Sequence, residues 1–376
     1  YQHDGHDTLF HLYRIQGIAM ALEDGQFPVR IQTSQLNGYG YPVSIMYGDL
    51  FLYLPALMVV FGLSTVLAYK FFILAVNIAT ISITYTLTKK VTKSNLLAVV
   101  AATLWGLSPY RLEDVYLRGA VGEYLALLFI PLIAYGIYSM IVLPTQNTRN
   151  GWIYLSVGMT GVVISHIISI LLIALALLPI VILSLFTRGF IEKVLFLARS
   201  IILTILLSAF FIIPFLDFYQ TANLQVQNLP TDYQHAVMYD YTIEPFQLFT
   251  LFQPMSGVST KISSGIVGEM PYSIGWSLTT GLIIWLIYHI TLRTMPNRVE
   301  IGCALSSAIL MFLMAPTYFN FWKHKFGYIL DIIVSKLISI QYPWRLVGPV
   351  SFLFLILTLY GIFKIRVSAS IPYAQA

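Results

Sequence analysis

The sequence predicts an all-α polytopic membrane protein, and three observations support this fold class. Of the 376 residues, 58% are hydrophobic and only 10% are charged, whereas a soluble domain carries about 25% charged residues. The mean hydropathy is +0.78. The apolar residues are also gathered into long segments that polar loops separate, which is the pattern of a multi-pass protein of the cell membrane.

The apolar segments that can cross roughly 30 Å of hydrocarbon were placed in chain order. Residues 152–186 would make a helix of about 52 Å, which is too long for one crossing, so we predict two helices that meet near Ser165 and His166. Residues 50–63 are shorter and contain Pro55, so they are expected to lie along the interface or to dip into it. The predicted spans are residues 66–87, 95–109, 123–143, 152–166, 167–186, 197–216, 273–292, 300–316 and 346–363.

The charges in the connecting loops predict the orientation of the chain. One set of alternate loops contains only two acidic residues, Glu192 and Glu300, and by the positive-inside rule it is cytoplasmic. Residues 1–49, 110–122, 217–272 and 317–345 are therefore expected to face outward, with a further span before Tyr1. The basic residues of the cytoplasmic set are Lys89, Lys90, Lys93, Arg149, Arg188, Lys193, Arg199, Arg293, Arg298, Lys364 and Arg366.

Several function classes are disfavoured by composition. The net charge of +5 is divided between two sides of a membrane, so no nucleic-acid partner is expected. The single cysteine, Cys303, excludes a disulfide framework. No Asp, Glu, Lys or Arg falls at the centre of a predicted span, which argues against an ion-coupled transporter. Glu123 and Lys70 are placed at outer ends of spans, where they can reach water or headgroups.

The first outward segment begins with an unusually polar stretch, HDGHDTLFHLYRI. On a helix, Asp4, Asp7, His11 and Arg14 follow spacings of three, four and three, so they share one face. Paired carboxylates can bind a divalent cation or act as a base, and histidine titrates near neutral pH. The alternative is a helix whose N-terminus is stabilised by the two aspartates, with His11 on the surface.

The second outward segment, SPYRLEDVYLRGAVGEY, places several charges between two spans. The forked guanidinium group matches phosphate oxygens, so Arg111 or Arg118 is a candidate to hold a lipid phosphate. In the alternative interpretation the charges are paired within an interfacial belt that Tyr110, Tyr116 and Tyr124 anchor. The acidic members of the segment are Glu113, Asp114 and Glu123.

Two further outward positions are candidates. His166, in SHIIS, either caps a helix end or joins a site at the tip of the split hairpin. Arg345, in QYPWR, either extends to the headgroups or forms a second phosphate clamp. The long loop at residues 217–272 is a candidate acceptor groove or lid. The chain contains no metal motif of the HExxH or CxxC type.

These motifs carry a resemblance that spans nearly the whole chain. DTLFHLYRI, DGQFPVRI, GYGYP, SPYRLEDVYLRGAVGE, SHIIS and QYPWR resemble the bacterial polytopic membrane proteins labelled "6-pyruvoyl-tetrahydropterin synthase-related". That family is similar to the GT-C glycosyltransferase superfamily, whose members take a sugar from a polyprenyl-phosphate donor on the outer face. The resemblance implies extracytoplasmic loops with juxtamembrane helices.

The resemblance also implies roles for particular residues. Asp7 is the expected base or metal-facing carboxylate, with Asp4 second, and His11 stands where the family also has a histidine. The donor phosphate is assigned to Arg111, Arg118 or Arg345, with His166 as a further candidate. Other polar candidates for the site are Glu123, Asp114 and Arg14. Because no DxD doublet stands in the first loop, a divalent cation, Mg²⁺ or Mn²⁺ on Asp4 and Asp7, stays an open question.

The function expected from the residues and the resemblance is an inverting glycosyl transfer. The donor is a polyprenyl-phosphate-linked sugar held among membrane lipids, and the acceptor is a cell-envelope glycan or a protein. In this scheme an arginine offsets the charge of the leaving phosphate, and Asp7, tuned by His11, accepts the acceptor's proton. The alternatives are a lipid-linked sugar or polymer transporter and a non-catalytic membrane scaffold. Residues 1–64 are expected to form the first extracytoplasmic loop, and residues 65–376 the transmembrane domain with its large loop at 217–272.

Overall fold

The computed structural model describes residues 5–142, 150–224, 241–250, 257–258, 267–268, 272–315 and 340–370. The fold class is the one predicted, an all-α polytopic membrane protein. A helix satisfies its own backbone N–H and C=O groups, which is why so apolar a chain folds as helices in lipid. Within the described residues the β-structure amounts to an isolated Gln32–Tyr41 bridge and one antiparallel pair, β1 (Gly257–Val258) with β2 (Val267–Gly268).

The described residues form α-helices that turns and irregular segments separate. Between them lie three 3₁₀ turns (Leu36–Gly38, Leu50–Leu52 and Pro343–Leu346) and one π-helical turn (Asp114–Arg118). The α-helices are α1 (Thr8–Glu23), α2 (Val43–Met46), α3 (Tyr53–Val60), α4 (Thr65–Thr92), α5 (Asn95–Gly106), α6 (Pro109–Glu113), α7 (Val121–Ile141), α8 (Gly151–Val163), α9 (Ile167–Leu185), α10 (Phe190–Thr221), α11 (Pro245–Leu248), α12 (Trp276–Thr291), α13 (Arg298–Met314) and α14 (Val347–Ser370).

Five helical segments of the described chain are long and apolar enough to cross a membrane: α4, α7, α9, α10 and residues Pro343–Val367. Every segment that hydropathy places in the membrane coincides with a helix, but α5, α8, α12 and α13 have only 12 to 17 residues. α10 extends to Thr221, so the first residues of the predicted loop at 217–272 are helical. Most of that loop lies outside the described residues.

The predicted division of residues 152–186 into two helices is confirmed. α8 ends at Val163 and α9 begins at Ile167, and the Ser165 hydroxyl donates a hydrogen bond of 2.5 Å to the Gly161 carbonyl. α8 packs closely on α7 because Gly158 has no side chain: a methyl group there would lie 3.0 Å from the backbone nitrogen of Ile133. The break therefore lies at residues 164–166, and His166 directly precedes α9.

The described chain forms two compact units, whose borders differ from the predicted division at residue 64. The first unit takes its described residues from 1–91, 111–170 and 189–227, and the second takes them from 92–110, 171–188 and 228–376. The N-terminal loop therefore belongs to the same unit as α4, α7, α8 and α10. Helix α1 packs on α3, and α2 packs on α10.

Within the first unit, a proline on α10 provides an anchor for the N-terminal loop. Pro214 has no backbone N–H, so the carbonyl of Phe210, four residues earlier, has no partner in the helix ladder. The guanidinium group of Arg30 donates a hydrogen bond of 2.9 Å to that carbonyl. The N-terminal loop is thus attached to α10 at the carbonyl that Pro214 leaves without a partner in the helix.

Replacing Arg30 with methionine is expected to lower the free energy of unfolding by about 1 kcal/mol, because one hydrogen bond to a helix carbonyl is lost. The measurement is thermal or denaturant unfolding of the purified protein in detergent. Pro214→Ala restores the internal partner of the Phe210 carbonyl. We therefore expect Arg30→Met to cost less in the Pro214→Ala background, and equal costs in both backgrounds would contradict the anchor.

The second unit contains a buried ionic network at the start of α13. The carboxylate of Glu300 is fully buried and accepts hydrogen bonds from the backbone N–H of Asn297 at 2.7 Å and from Trp285 Nε1 at 2.9 Å. Lys364 Nζ lies 2.7 Å from Glu300 Oε2, and His289 Nε2 lies 3.1 Å from Oε1. This one carboxylate therefore joins α12, α13 and α14.

Candidate functional site

The N-terminus of α1 is fixed to the segment that precedes α7. Asp7 is the N-cap residue, and its backbone N–H donates a hydrogen bond of 2.8 Å to the Arg118 carbonyl. Gly119, at φ +65°, lies so close that a Cβ there would be 3.1 Å from the Thr8 backbone nitrogen. Asp7 is only partly buried, and within the described residues its side chain makes no capping hydrogen bond. Its carboxylate also interacts electrostatically with the Tyr69 hydroxyl.

Of the four residues predicted to share a polar face, His11 and Arg14 lie within helix α1. Asp4 lies outside the described residues, and Asp7 precedes the first helical residue. His11 and Arg14 are each 1% exposed, so the alternative that placed His11 on the surface is wrong. The Arg14 guanidinium donates to the carbonyls of Tyr47 and Gly48 at 3.0 and 2.9 Å. Arg14 therefore ties α1 to the turn before α3.

Tyr47 lies at the centre of this packing. The Arg14 guanidinium lies 4.3 Å from the centroid of the Tyr47 ring, within the range of a cation–π interaction. The rings of His11 and His166 lie 5.9 and 6.0 Å from the same ring. His166 is buried, and its Nδ1 is 2.8 Å from the Ser169 hydroxyl. The structure thus brings His166, at the break between α8 and α9, together with the histidine and arginine of α1.

The tautomer and the charge of His11 follow from its neighbours. A guanidinium group can only donate, so His11 Nδ1, 3.3 Å from Arg14 Nη1, is the acceptor and the ring proton is on Nε2. Burial, followed by the charges of Arg14 and His166, lowers the pKa of His11 well below its usual value of 6.5. In the described part of the chain its ring contacts Arg14, Phe10 and Tyr47. This geometry favours a role in positioning Arg14 over the predicted tuning of Asp7.

The stability that neutral His11 contributes is expected to be lost as the pH falls below about 6.5. The unfolded chain then binds a proton at residue 11, whereas folded His11 stays neutral because its pKa is lowered. Since the unfolded state binds more protons at this residue, the contribution of His11 to the free energy of unfolding declines by up to about 1.4 kcal/mol per pH unit until the folded pKa is reached. Unfolding midpoints between pH 5 and 8 test this, because the stability of the wild type relative to His11→Gln should decline as the pH falls below about 6.5. Replacement of the exposed His6 by glutamine is the matched control, and the same pH-dependent difference in both variants would contradict the assignment.

The second predicted segment forms a buried ionic cluster. Arg118, 4% exposed, pairs with Asp114 one turn earlier and lies 2.9 Å from Glu123 Oε2 at the start of α7. Glu123 is 2% exposed, so the expectation that it reaches water or headgroups is wrong. Its position is set by the π-helical turn, which adds a residue before Gly119 reverses the chain.

The tyrosines of this segment do not form the interfacial belt that one interpretation predicted. Tyr116 is 56% exposed, whereas Tyr110 and Tyr124 are 1% and 0% exposed. The paired charges of the same interpretation are present, because Arg118 binds two carboxylates. As a result, Arg118 can take a phosphate only by exchanging one of these partners.

Arg111 extends into the interior of the first unit. Its Nη2 donates to Asn77 Oδ1 at 2.6 Å and to the Thr80 hydroxyl at 3.2 Å, both near the middle of α4. Burial lowers the pKa of Arg111 to about 10, so the side chain remains charged at neutral pH. The positive charge of Arg111 therefore lies beside the middle of α4, although the sequence of α4 has no Asp, Glu, Lys or Arg at that point.

Sequence reasoning did not single out three polar residues of the first unit: Tyr47, Asp49 and Asn77. Asp49 is 9% exposed, and its Oδ2 is buried with no hydrogen-bond partner in the described residues. Burial raises the pKa of Asp49, against the opposing effects of Ser44 and Arg14. The signal that could have found it is an acidic residue directly before an apolar stretch, in YGDLFLYL.

Arg345 belongs to the second unit. It is 8% exposed, donates to Gln341 Oε1 at 2.9 Å, and lies 5.0 Å from the Tyr342 ring centroid. The rings of Tyr342 and Trp344 stack at 5.4 Å. The predicted extension of Arg345 to the headgroups is thus wrong, since the guanidinium packs on its own motif. Its role as a phosphate clamp stays a prediction.

A metal site on Asp4 and Asp7 also stays a prediction. Among the described residues no group of three His, Cys, Asp or Glu side chains could hold a metal ion, and Asp4 is outside them. Asp7 by itself supplies one carboxylate, whereas a divalent cation needs several oxygen ligands. The described side chains therefore do not make up a ligand set for Mg²⁺ or Mn²⁺.

The fold and these contacts define a polytopic membrane protein with a buried polar cluster in its first unit. Comparison with known proteins adds little beyond this class. No family model matches the chain, and no solved structure matches it. A curated relative from Lactococcus lactis subsp. cremoris (strain MG1363), described as an uncharacterized protein, is 26% identical over 238 residues. The match covers 60% of this chain but only 38% of the relative's length.

Proposed function

We propose that this protein is a membrane glycosyltransferase of the GT-C type. It moves a sugar from a polyprenyl-phosphate donor to a cell-envelope glycan or protein acceptor, on the extracytoplasmic face. The proposal rests on the resemblance of the sequence motifs and on one structural observation. Asp7, from the first predicted outward loop, is bonded through its backbone to Arg118 of the second.

This contact supports the proposal because it places the backbone of a candidate base next to the backbone of a candidate phosphate ligand. The Asp7 carboxylate is partly exposed and is not used to cap α1, so it is available to accept a proton. Arg118 provides the carbonyl that accepts the hydrogen bond from Asp7, and Arg111 lies seven residues earlier, on α6. A sugar transferase that uses a lipid phosphate needs these two functions side by side, a base for the acceptor hydroxyl and positive charge for the departing phosphate.

In the proposed reaction, Asp7 accepts the proton of the acceptor hydroxyl while the hydroxyl oxygen attacks the anomeric carbon of the donor sugar. The bond between that carbon and the phosphate oxygen breaks, and polyprenyl phosphate leaves with the electron pair. Arg118 is already shared by Asp114 and Glu123, so we assign the leaving phosphate to Arg111 first. Both guanidinium groups are buried, so donor binding requires the π-helical turn to open.

The test is incubation of the purified protein in lipid with a polyprenyl-phosphate sugar and a cell-envelope acceptor fraction. An enzyme releases polyprenyl phosphate in proportion to protein, and the released lipid is measured by chromatography and mass spectrometry. A panel of sugars is required because the sequence does not name the donor. A donor whose linkage stays intact with every sugar and acceptor would overturn the proposal.

A second candidate, a transporter of lipid-linked sugars, is favoured by Arg111. Its guanidinium binds Asn77 and Thr80 near the middle of α4, and charged groups at that depth often mark the pathway of a charged substrate. The same incubation distinguishes the two functions when it is done in sealed vesicles. A transporter moves the donor across the bilayer and leaves the linkage intact, and a scaffold does neither.

A further inference from the structure

An unpartnered buried acid stands next to the ionic cluster of Arg118. Glu113 ends α6 directly before the π-helical turn, and it is 7% exposed. Both of its carboxylate oxygens are buried, and neither has a hydrogen-bond partner in the described part of the chain. An ionised carboxylate would have lost its water without gaining a donor, which is strongly unfavourable. The neutral acid avoids this loss.

The charges around Glu113 act in the same direction. Arg118 already binds Asp114 and Glu123, so these three groups carry one more negative than positive charge. The charged groups that act directly on Glu113 are Asp114 and Arg118. Glu123 on α7 acts indirectly, because it pairs with Arg118. Helix α1 contacts the turn through the backbone of Asp7. Burial, followed by the charge of Asp114, raises the pKa of Glu113 well above its usual value of 4.5, and Arg118 only partly opposes this.

We propose that Glu113 is a proton-binding site, a buried carboxylic acid that is protonated at neutral pH and releases its proton when the π-helical turn opens. The ligand is a single proton, and the reaction is the reversible dissociation of the carboxylic acid into a carboxylate and a proton taken up by solvent. This inference does not depend on the proposed glycosyl transfer, because it rests only on the burial of both oxygens and on the neighbouring charges.

The site is coupled to the rest of the first unit through Arg118. Loss of the proton adds a third carboxylate beside one guanidinium group, so Asp114, Glu123 and Glu113 then compete for Arg118. The carbonyl of Arg118 holds the backbone of Asp7 at 2.8 Å. Protonation of Glu113 therefore stabilises the closed turn and, with it, the position of the N-terminus of α1.

Infrared spectroscopy of the full chain in lipid tests the protonation directly. A protonated carboxylic acid has a carbonyl stretch above the amide bands, which shifts in D₂O and which an ionised carboxylate lacks. At pH 7 we expect this band in the wild type and its loss in Glu113→Gln. Glu192→Gln, which removes an exposed glutamate of α10, is the matched control and should retain the band. In the wild type the band should disappear as the pH is raised above neutral.

Thermal unfolding in detergent provides a second measurement. The folded pKa of Glu113 is raised, so above pH 4.5 the unfolded chain loses a proton that the folded chain keeps, and folding becomes less favourable as the pH rises. Glutamine mimics the neutral acid and has no such dependence. Glu113→Gln should therefore raise the unfolding midpoint relative to wild type at pH 7 but not at pH 4.

The two measurements leave clear outcomes. Loss of the infrared band in Glu113→Gln, with a pH-dependent gain in its unfolding midpoint, supports the proposal. Spectra that are identical in wild type and Glu113→Gln at pH 7, or a wild type with no protonated carboxyl band, would overturn it. Glu113→Met, an apolar substitute of similar length, serves if the glutamine variant does not fold, and it should lack the same band.

Discussion

Replacing Asp7 with asparagine is expected to lower the rate of sugar transfer by about 10²- to 10⁴-fold, the usual contribution of a general base. Asparagine keeps the shape of the side chain but cannot accept the proton of the acceptor hydroxyl. The loss should appear in kcat, with the affinity for the donor nearly unchanged, because the phosphate is assigned to the arginines. The measurement is the initial rate of polyprenyl-phosphate release at saturating donor.

The Asp7→Asn variant should fold as the wild type does. Within the described residues the Asp7 side chain makes no capping hydrogen bond to α1, and the bond to Arg118 uses the backbone N–H, which asparagine retains. Asp24, an exposed residue just beyond the other end of α1, provides the matched control. Asp24→Asn makes the same change of charge and should keep full activity. An Asp7→Asn variant as active as Asp24→Asn would remove Asp7 from the mechanism.

The regular part of the fold could be predicted because it depends on local properties of the chain. Runs of apolar residues bounded by charges mark the helices, and a helix of residues 152–186 would exceed the bilayer thickness. The structure confirms the break, with α8 ending at Val163 and α9 starting at Ile167. Hydropathy was a poorer guide to the length of α5 and α8. Both are helices as predicted, but they are shorter than a full crossing of the membrane.

The candidate site could be predicted only in part, because its contacts join residues that are distant in sequence. Arg111 binds Asn77, 34 residues earlier, and Arg14 binds the carbonyl of Tyr47, 33 residues later. Nothing in either local sequence specifies these partners. Tyrosines near the ends of apolar segments suggest interfacial anchors, yet Tyr124 is fully buried. Burial is a property of tertiary packing, and one sequence does not reveal it.

The pairing of Arg118 with Asp114 was open to prediction, since the two residues are one helical turn apart. The pairing with Glu123 was not. It requires the chain to reverse at Gly119, in the left-handed region at φ +65°, after a π-helical turn. This explains why sequence reasoning offered Arg118 as a free phosphate ligand, whereas in the fold its guanidinium already binds two carboxylates.

Replacing Arg118 with methionine is expected to lower the free energy of unfolding by about 3–5 kcal/mol, the usual cost of removing one partner from a buried ion pair. Methionine fills a similar volume, but it leaves Asp114 and Glu123 buried, at 0% and 2% exposure, without their shared cation. Unfolding in detergent, by heat or by denaturant, measures the loss. Arg199→Met, at an exposed position on α10, is the matched control and should change stability by no more than about 0.5 kcal/mol.

A compensated variant separates the loss of charge balance from the loss of packing. Combining Arg118→Met with Asp114→Asn and Glu123→Gln removes both buried negative charges, so most of the lost stability should return. If the triple variant is as unstable as Arg118→Met alone, then packing or hydrogen bonds of the guanidinium, and not its charge, hold the turn closed. If Arg118→Met is no less stable than Arg199→Met, the cluster does not stabilise the fold at all. Recovery in the triple variant would instead identify charge balance as the force that keeps the carbonyl of residue 118 in place for Asp7.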